Sequence, residues 1–245
     1  MDIIKRFVQA NKSFSSKLDG KFPSYFLGNR NYHTDLLGEI KEYIRKKKPR
    51  HILEVGGVDR PLLRKNINYK YVGIDIDNNI KCLNIYDEYL VKSIEEPIGR
   101  EFDLIISFTL LEHIKNNRKS LNNIYNSLVE GAATYHYVPS KNHPYSIVLR
   151  IVGPKLQRLL IKHLRSYAAD VTGYPTYFNL CTPSQMKNEM EEIGFKEVKV
   201  IPYYKAGDYF SFFVPAYMMV TIYENIIEKM HLSELSSGFL ISGIK

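Results

Sequence analysis

One short segment narrows the folding options of this chain more than any other: His51-Ile-Leu-Glu-Val55, closed by Gly56-Gly57. An apolar run of that length suits a buried strand and is too short for a buried helix. Paired glycines directly after it mark a sharp bend or a close backbone approach. Comparable runs recur downstream as "KYVGIDI", "EYLVKSI", "FDLIISF", "AATYHYV", "FKEVKVIPYY" and "GFLISGIK". Segments of helical spacing lie between them. "HTDLLGEIKEYIRKKK" sets Leu36, Leu37, Ile40, Tyr43 and Ile44 on a helical period. "NRKSLNNIYNSLVEG" reads as an amphipathic helix ended by Gly131. "TPSQMKNEMEEIG" reads as a helix with Thr182 as N-cap and Pro183 at its first position. Short strands alternating with helices imply an α/β fold with parallel strands and crossover helices.

Residues 139–182 break that rhythm. "HPYSIVLRIVGPKLQRLLIKHL" reads as helices interrupted at Gly153-Pro154, and "SYAADVTGYPTYFNLC" as an aromatic-rich loop. The block is expected to be an insertion after the fifth strand. Residues 1–30 are mixed and Ser/Lys-rich and read as a loosely packed leader. The expected organisation is a single domain over 1–245, with leader and helix in 1–50 and an insertion at 139–182.

The net charge of +8 invites nucleic acid, an anionic membrane or an anionic substrate. The densest basic run, Arg45 to Arg50, is better explained as a helix C-terminus, where cations complement the dipole. Cys82 and Cys181 are far apart and outside any CxxC, so they read as small buried residues in a reducing compartment, without a zinc site. The N-terminal "MDIIKRFVQANKSF" lacks the apolar core of a signal peptide. The uncharged apolar run Tyr209 to Tyr223 falls short of the roughly 20 apolar residues a membrane helix needs. A cytoplasmic protein is the expectation.

In an open parallel sheet, ligands bind at the carboxyl ends of the strands where strand order reverses. Gly56 and Gly57 can supply the first strand-to-helix turn there, with backbone N–H groups near the ligand. Glu54 is charged at the end of a buried strand and needs a partner. A cationic ligand group, direct or through water, is one. Asp75 ends the second strand, 19 residues beyond Gly56, where a carboxylate can accept both hydroxyls of a ribose.

These residues carry a resemblance. "LEVGG…YVGIDID…FDLIISFTLLEHI…LVEGA…YHYVPS" resembles a class I S-adenosylmethionine-dependent methyltransferase of the small-molecule and glycan branch, from about Ile52 onward. The resemblance implies a doubly wound, mostly parallel, seven-stranded Rossmann-like sheet with an antiparallel last strand, which "GFLISGIK" would supply. It implies S-adenosylmethionine as cofactor. The family's Glu-x-Gly-x-Gly turn, which holds the methionine end, maps onto Glu54, Gly56 and Val58, with Gly57 between. Val58 stands where the second glycine usually stands. The ribose carboxylate maps onto Asp75, and Ile76 would lie against the adenine. Ser93 and Ile94 fall at the adenine-contacting turn after the third strand. The backbone from Ser107 to Leu110 would border the sulfonium.

Methyl transfer to a hydroxyl needs alignment and a proton acceptor, and histidine suits neutral pH. His113 in the Leu111–Ile114 tetrad, His136 on the fifth strand and His143 in the following loop are the candidate bases. Each has an ordinary alternative as a packed or loop histidine. His163 reads as surface. Asp75 and Asp77 are assigned to the ribose and to a helix start, and no Asp/Asn/His cluster suggests a metal. In the insertion, Asp170, Tyr174 and Tyr177 are candidate contacts for a sugar or another flat acceptor, and Asp170 is a further base candidate. The aromatic tail from Phe210 to Met230 reads as core, as a homodimer face or as a peripheral membrane contact. Insertion and tail are similar to methyltransferases acting on bacterial surface-sugar precursors. That implies O-methylation of a sugar or glycan in surface polysaccharide biosynthesis.

The alternatives are a nucleic-acid methyltransferase and a catalytically degenerate partner protein. Against the first, Ser107-Phe108-Thr109-Leu110 stands where an Asn/Asp-Pro-Pro-aromatic tetrad would be expected, and no basic stripe is interleaved with aromatics. Val58 is the feature that would favour the second. A nicotinamide dehydrogenase would need glycines at 56, 58 and 61, where this chain has Gly56, Val58 and Pro61.

Overall fold

The structure is a computed structural model that describes residues 2–78, 81–153 and 174–245. The chain runs α1 (Asp2–Lys21), α2 (Pro23–Phe26), α3 (Tyr32–Lys47), β1 (His51–Val55), β2 (Lys70–Asp75), α4 (Cys82–Ile85), β3 (Glu88–Val91), β4 (Phe102–Phe108), α5 (Asn117–Asn126) and β5 (Leu128–Pro139). A helix over 144–153, α6, follows. The remainder is α7 (Pro183–Ile193), β6 (Lys196–Tyr203), α8 (Val214–Lys229) and β7 (Gly238–Ile244).

Seven strands form one sheet in the order β3-β2-β1-β4-β5-β7-β6. β1 is parallel to β2 and β4, β2 to β3, and β4 to β5. The last strand is antiparallel: Gly131 N donates to Lys245 O at 3.1 Å and Lys245 N donates to Ala132 O at 3.0 Å. This is the doubly wound, Rossmann-like sheet that the resemblance implied. The central strands are apolar on both faces, as a sheet covered by helices requires. Ile52, Leu53, Leu104, Ile105 and Ile106 are wholly buried.

Two compact units divide the described residues. The sheet unit comprises Tyr32–Pro139, Tyr177–Ile201 and Phe239–Lys245; the helical unit comprises Met1–Asn31, Ser140–Thr176 and Pro202–Gly238.

Local readings held where chemistry acts at short range. Thr182 caps α7 by accepting the Gln185 amide, with Pro183 at the first position. The basic run ends α3, with Arg45 and Lys46 both paired to Glu42. Four readings need correction. Residues 2–21 are a continuous helix, not a loose leader. Gly131 does not end α5: the helix stops at Asn126, and Gly131, at φ 78°, sits in β5 where the register slips between Leu128 and Ala133. Asp77 does not start a helix, because α4 begins at Cys82. The glycine turn also leads into no helix, since residues 56–69 cross from β1 to β2 through turns alone.

Candidate functional site

The chain leaves β1 for β2 and β3, then returns to β4 on the other side of β1. Strand order therefore reverses between β1 and β4, and the crevice for a ligand opens at their carboxyl ends. Register aligns the tips: Val55 faces Ile74 and Ser107, Asp75 faces Val91, and Ser107 faces His136.

Both glycines at the tip of β1 are required by what lies against them. Gly56 has φ 79°, and a Cβ there would come 2.7 Å from Leu110 Cδ1. A Cβ on Gly57 would come 2.5 Å from Glu54 Oε1 and closer still to the Tyr86 hydroxyl. The turn then closes through Val58 at φ 43°. That is a left-handed conformation in a β-branched residue, a costly arrangement. Val58 thus takes the backbone shape that a glycine would take freely.

Glu54 does not point outward. Its carboxylate is buried, accepts the Leu62 amide at 3.0 and 3.1 Å, and accepts the Tyr71 hydroxyl. Burial pushes its pKa up to about 8, opposed by the Leu62 hydrogen bond. The expected cationic partner is therefore replaced by the protein's own donors, and Glu54 braces the turn from beneath. Beside it, the buried Tyr86 hydroxyl has no hydrogen-bond partner among the described residues.

Asp75 is half-buried, and burial raises its pKa. Its Oδ1 accepts the Asp77 amide at 2.9 Å, and its carbonyl accepts the Lys92 amide at 2.8 Å. The second bond brings the loop after β3 against the tip of β2. Ser93 and Ile94 thus lie in the neighbouring loop, as expected. Ser93 Oγ accepts the Glu95 amide, while the Ile94 side chain is buried. Ile76 is 66% exposed directly beside Asp75, an apolar side chain available to a flat ring. A bare glycine bend, an unmet tyrosine hydroxyl, a carboxylate and an exposed isoleucine suit an adenosine with a charged tail.

Ser107 and His136 are wholly buried across the β4–β5 pair. Thr134 Oγ1 donates to Ile105 O, so it must accept the Nε2 proton of His136 at 2.6 Å. Nδ1 is then left to accept the Ser107 hydroxyl at 2.7 Å. Burial lowers the His136 pKa to about 3. The expectation that His136 faces the cleft is therefore corrected: both nitrogens are committed inside the sheet. Ser107 can offer a ligand its backbone only. His143 is also buried rather than a loop residue over the cleft. Its Nε2 lies 3.2 Å from Glu224 Oε1, within the helical unit.

His113 differs from both. It is only partly buried, on a short 3-10 turn at Leu111–His113, with its amide bonded to Leu110 O. Glu112 beside it is buried, pushed up to about 8 by desolvation, and its Oε2 has no hydrogen-bond partner among the described residues. Tyr177, an expected acceptor contact, is brought to this tetrad: its amide donates to Glu112 O at 2.8 Å, and Lys115 Nζ stands over its ring. Tyr174 is exposed in the helical unit. Asp170 and His163 lie outside the described residues.

The residues 29–200 match the family model described as "Methyltransferase domain". The chain belongs to this family. No curated protein sequence matches it. Its fold is that of the class I S-adenosylmethionine-dependent methyltransferases. A solved SAM-dependent methyltransferase from Archaeoglobus fulgidus is 16% identical, with a TM-score of 0.54 over 91% of this chain and 98% of that one. A possible histamine N-methyltransferase from Thermotoga maritima is 15% identical, with a TM-score of 0.52 over 96% and 97%. Phosphoethanolamine N-methyltransferase 2 of Haemonchus contortus, solved with S-adenosyl-L-methionine, is 16% identical, with a TM-score of 0.51 over 86% and 52%.

This methyltransferase also has site features that pattern reading missed. Tyr32, at the start of α3, stacks on Tyr137 at 4.3 Å between centroids, and His33 meets Phe108 edge-on at 5.4 Å. The start of α3 thus stands beside the ends of β4 and β5. The tetrad quoted for the family already contained Glu112, but that its Oε2 is buried without a hydrogen-bond partner among the described residues, with Oε1 3.7 Å from His113 Nε2, is visible only once the fold is known. Cys82 and Cys181 are both buried. No group of His, Cys, Asp and Glu that could hold a metal occurs among the described residues.

Proposed function

We propose that the chain binds S-adenosylmethionine at the tips of β1 and β2 and methylates a hydroxyl of a sugar or glycan precursor in surface polysaccharide biosynthesis. Bound there, the cofactor supplies a methyl group already activated on a sulfonium. Asp75 accepts the ribose hydroxyls, Ile76 covers the adenine, and the Gly56–Gly57 bend takes the methionine end. The loop of Ser93 and Ile94 and the backbone from Ser107 to Leu110 border the rest. His113 takes the proton of the acceptor hydroxyl as the oxygen attacks. Tyr177, held to the same tetrad, positions the acceptor. His136 and His143 are left out of this role because their burial keeps them from an acceptor.

The carrying observation is the juxtaposition of Asp75, exposed Ile76 and the bare glycine bend at the point where strand order reverses. In this reading the 245 residues work as one cytoplasmic methyltransferase domain. Among the described residues, no helix is long and apolar enough to cross a membrane. Nucleic acid is not among the proposed partners.

Mass spectrometry of nucleotide-sugars, glycans and sugar phosphates incubated with the protein and S-adenosylmethionine tests the acceptor. A gain of one methylene on one of them supports the reading. No gain on any, with methylated RNA or a methylated amine instead, overturns it. His113→Ala should lower kcat far more than KM for the cofactor; an unchanged kcat removes His113 as base.

A further inference from the structure

Helix α8 is apolar on both its buried and its exposed side. The buried side carries Tyr217, Val220 and Ile227, with Thr221 and the carboxylate of Glu224 among them. The exposed side carries Met219, Ile222 and Ile226, continued by Met230 at the C-cap, spaced at i, i+3, i+7 and i+11, hence on one stripe. Met219 is 72% exposed and Met230 61%. A helix in water normally turns a polar face outward. Helix α1 repeats the pattern. It buries Val8 and Ser15 and exposes Ile3, Phe7 and Phe14 at i, i+4 and i+11. At the start of α8 the Phe7 ring lies 6.5 Å from that of Phe213, both exposed. Exposed apolar stripes of this kind mark a site that something covers.

The charge of the chain says what covers it. Among the described residues the helical unit holds ten Lys and Arg against six Asp and Glu, whereas the sheet unit holds twenty against nineteen. The unit with the apolar stripes is therefore the more basic of the two. Lys5, Arg6, Lys17 and Lys21 are exposed along α1, and Lys229 is exposed at the end of α8. Its acidic groups are partly spent internally: Glu224 is buried beside His143, Glu228 pairs with Lys205, and Asp19 takes the Tyr217 hydroxyl. A second copy of this chain would set one cationic surface against another. An anionic bilayer complements both features, with apolar side chains entering the headgroup boundary and cations meeting lipid phosphates.

We propose that α1 and α8 form a peripheral docking surface for an anionic lipid bilayer. The proposal does not depend on the acceptor. It fits a lipid-linked acceptor as well as a soluble one.

The test uses the full chain with vesicles of phosphatidylcholine alone and of phosphatidylcholine mixed with phosphatidylglycerol. The protein should co-sediment with the mixed vesicles, lose binding as salt is raised, and bind the neutral vesicles weakly. Met219→Ser with Ile226→Asp should lower the bound fraction by about tenfold on mixed vesicles, with S-adenosylmethionine affinity unchanged. Lys17→Glu with Lys21→Glu should weaken binding on mixed vesicles only. Because the chain has no tryptophan, Ile226→Trp supplies a lone fluorophore whose emission should shift to the blue on adding mixed vesicles. This keeps the proposal testable should the double variant fail to fold. No sedimentation with mixed vesicles, no emission shift, or binding untouched by Ile226→Asp would each overturn it. So would a dimer in analytical ultracentrifugation that Ile226→Asp splits, since the stripe would then be covered by a second copy.

Discussion

The two units of this molecule differ in charge and in where their helices and strands leave apolar side chains. The sheet unit buries its isoleucines and valines on both faces of β1, β2 and β4 and is nearly neutral. The helical unit buries Glu224, His143, Thr221 and Ser146 and leaves methionine, isoleucine and phenylalanine in water. Each unit also contains a buried carboxylate, differently answered. Glu54 is held by a backbone amide and a tyrosine hydroxyl. Glu224 is held by the Ala206 amide at 2.7 Å and by His143. The contrast teaches that the sheet unit is organised around apolar central strands. The helical unit combines buried polar groups with apolar side chains left at its surface.

The sharpest test of that contrast compares one glycine in each unit. Gly57→Ala pushes a methyl group into Glu54 and Tyr86, and should cost about 3 kcal/mol with loss of cofactor binding, seen by thermal unfolding and calorimetry. Next in size, Asp75→Ala should weaken S-adenosylmethionine binding by about thirtyfold, the loss of charge-assisted bonds to the ribose. His143→Ala, in the other unit, should leave that affinity unchanged; calorimetry giving the reverse order would undo the site map.

Third comes a pH dependence centred on the sheet unit. Glu54 and Glu112 have folded pKa values near 8 against an ordinary 4.5, so the folded state binds more protons than the unfolded one between those values. Stability should therefore be highest at the acid side of that window and fall as pH rises through it, by up to about 1.4 kcal/mol per pH unit for each group. Glu54→Gln and Glu112→Gln should each flatten the slope of urea midpoint against pH. Glu224 should add a shallower slope, because the bond to His143 opposes its desolvation. A flat profile in the native protein would contradict the burial of these groups.

Smaller still is Gly207→Ala in the helical unit, where the nearest atoms lie 3.1 to 3.4 Å from the new methyl group. The expected cost is about 1 kcal/mol, and a cost equal to that of Gly57→Ala would erase the distinction between the two turns. Smallest is Ile226→Ser, expected to change stability by no more than about 0.5 kcal/mol, since this side chain faces water in the free protein. A loss of several kcal/mol would mean that the stripe on α8 is core.

Legibility followed the range of the interactions. The central strands β1, β2 and β4 were readable as apolar runs, because they are buried on both faces. The cap at Thr182 and the end of α3 were readable for a different reason, since each rests on chemistry within one helical turn. The extent of β5 was not. Gly131 looks like a helix stop, and only pairing with Lys245 draws it into the sheet. The carboxylate of Asp75 and the glycine bend stood out in the chain, but the commitment of Glu54 to Leu62 and Tyr71 did not. That closure depends on how residues 56–69 cross back without a helix.

The chain also brought His113, His136 and His143 forward together as candidate bases. The fold separated them by burial: one partly exposed beside Glu112, one locked between Ser107 and Thr134, one set against Glu224. What the chain alone determined was the order of strands and turns, and hence the place proposed for an adenosine-bearing ligand, because hydrophobic period and glycine conformation act locally. Which ionisable groups meet that place, and which face of α8 meets solvent, was decided by the tertiary structure. Burial and long-range partners have no signature in the order of residues.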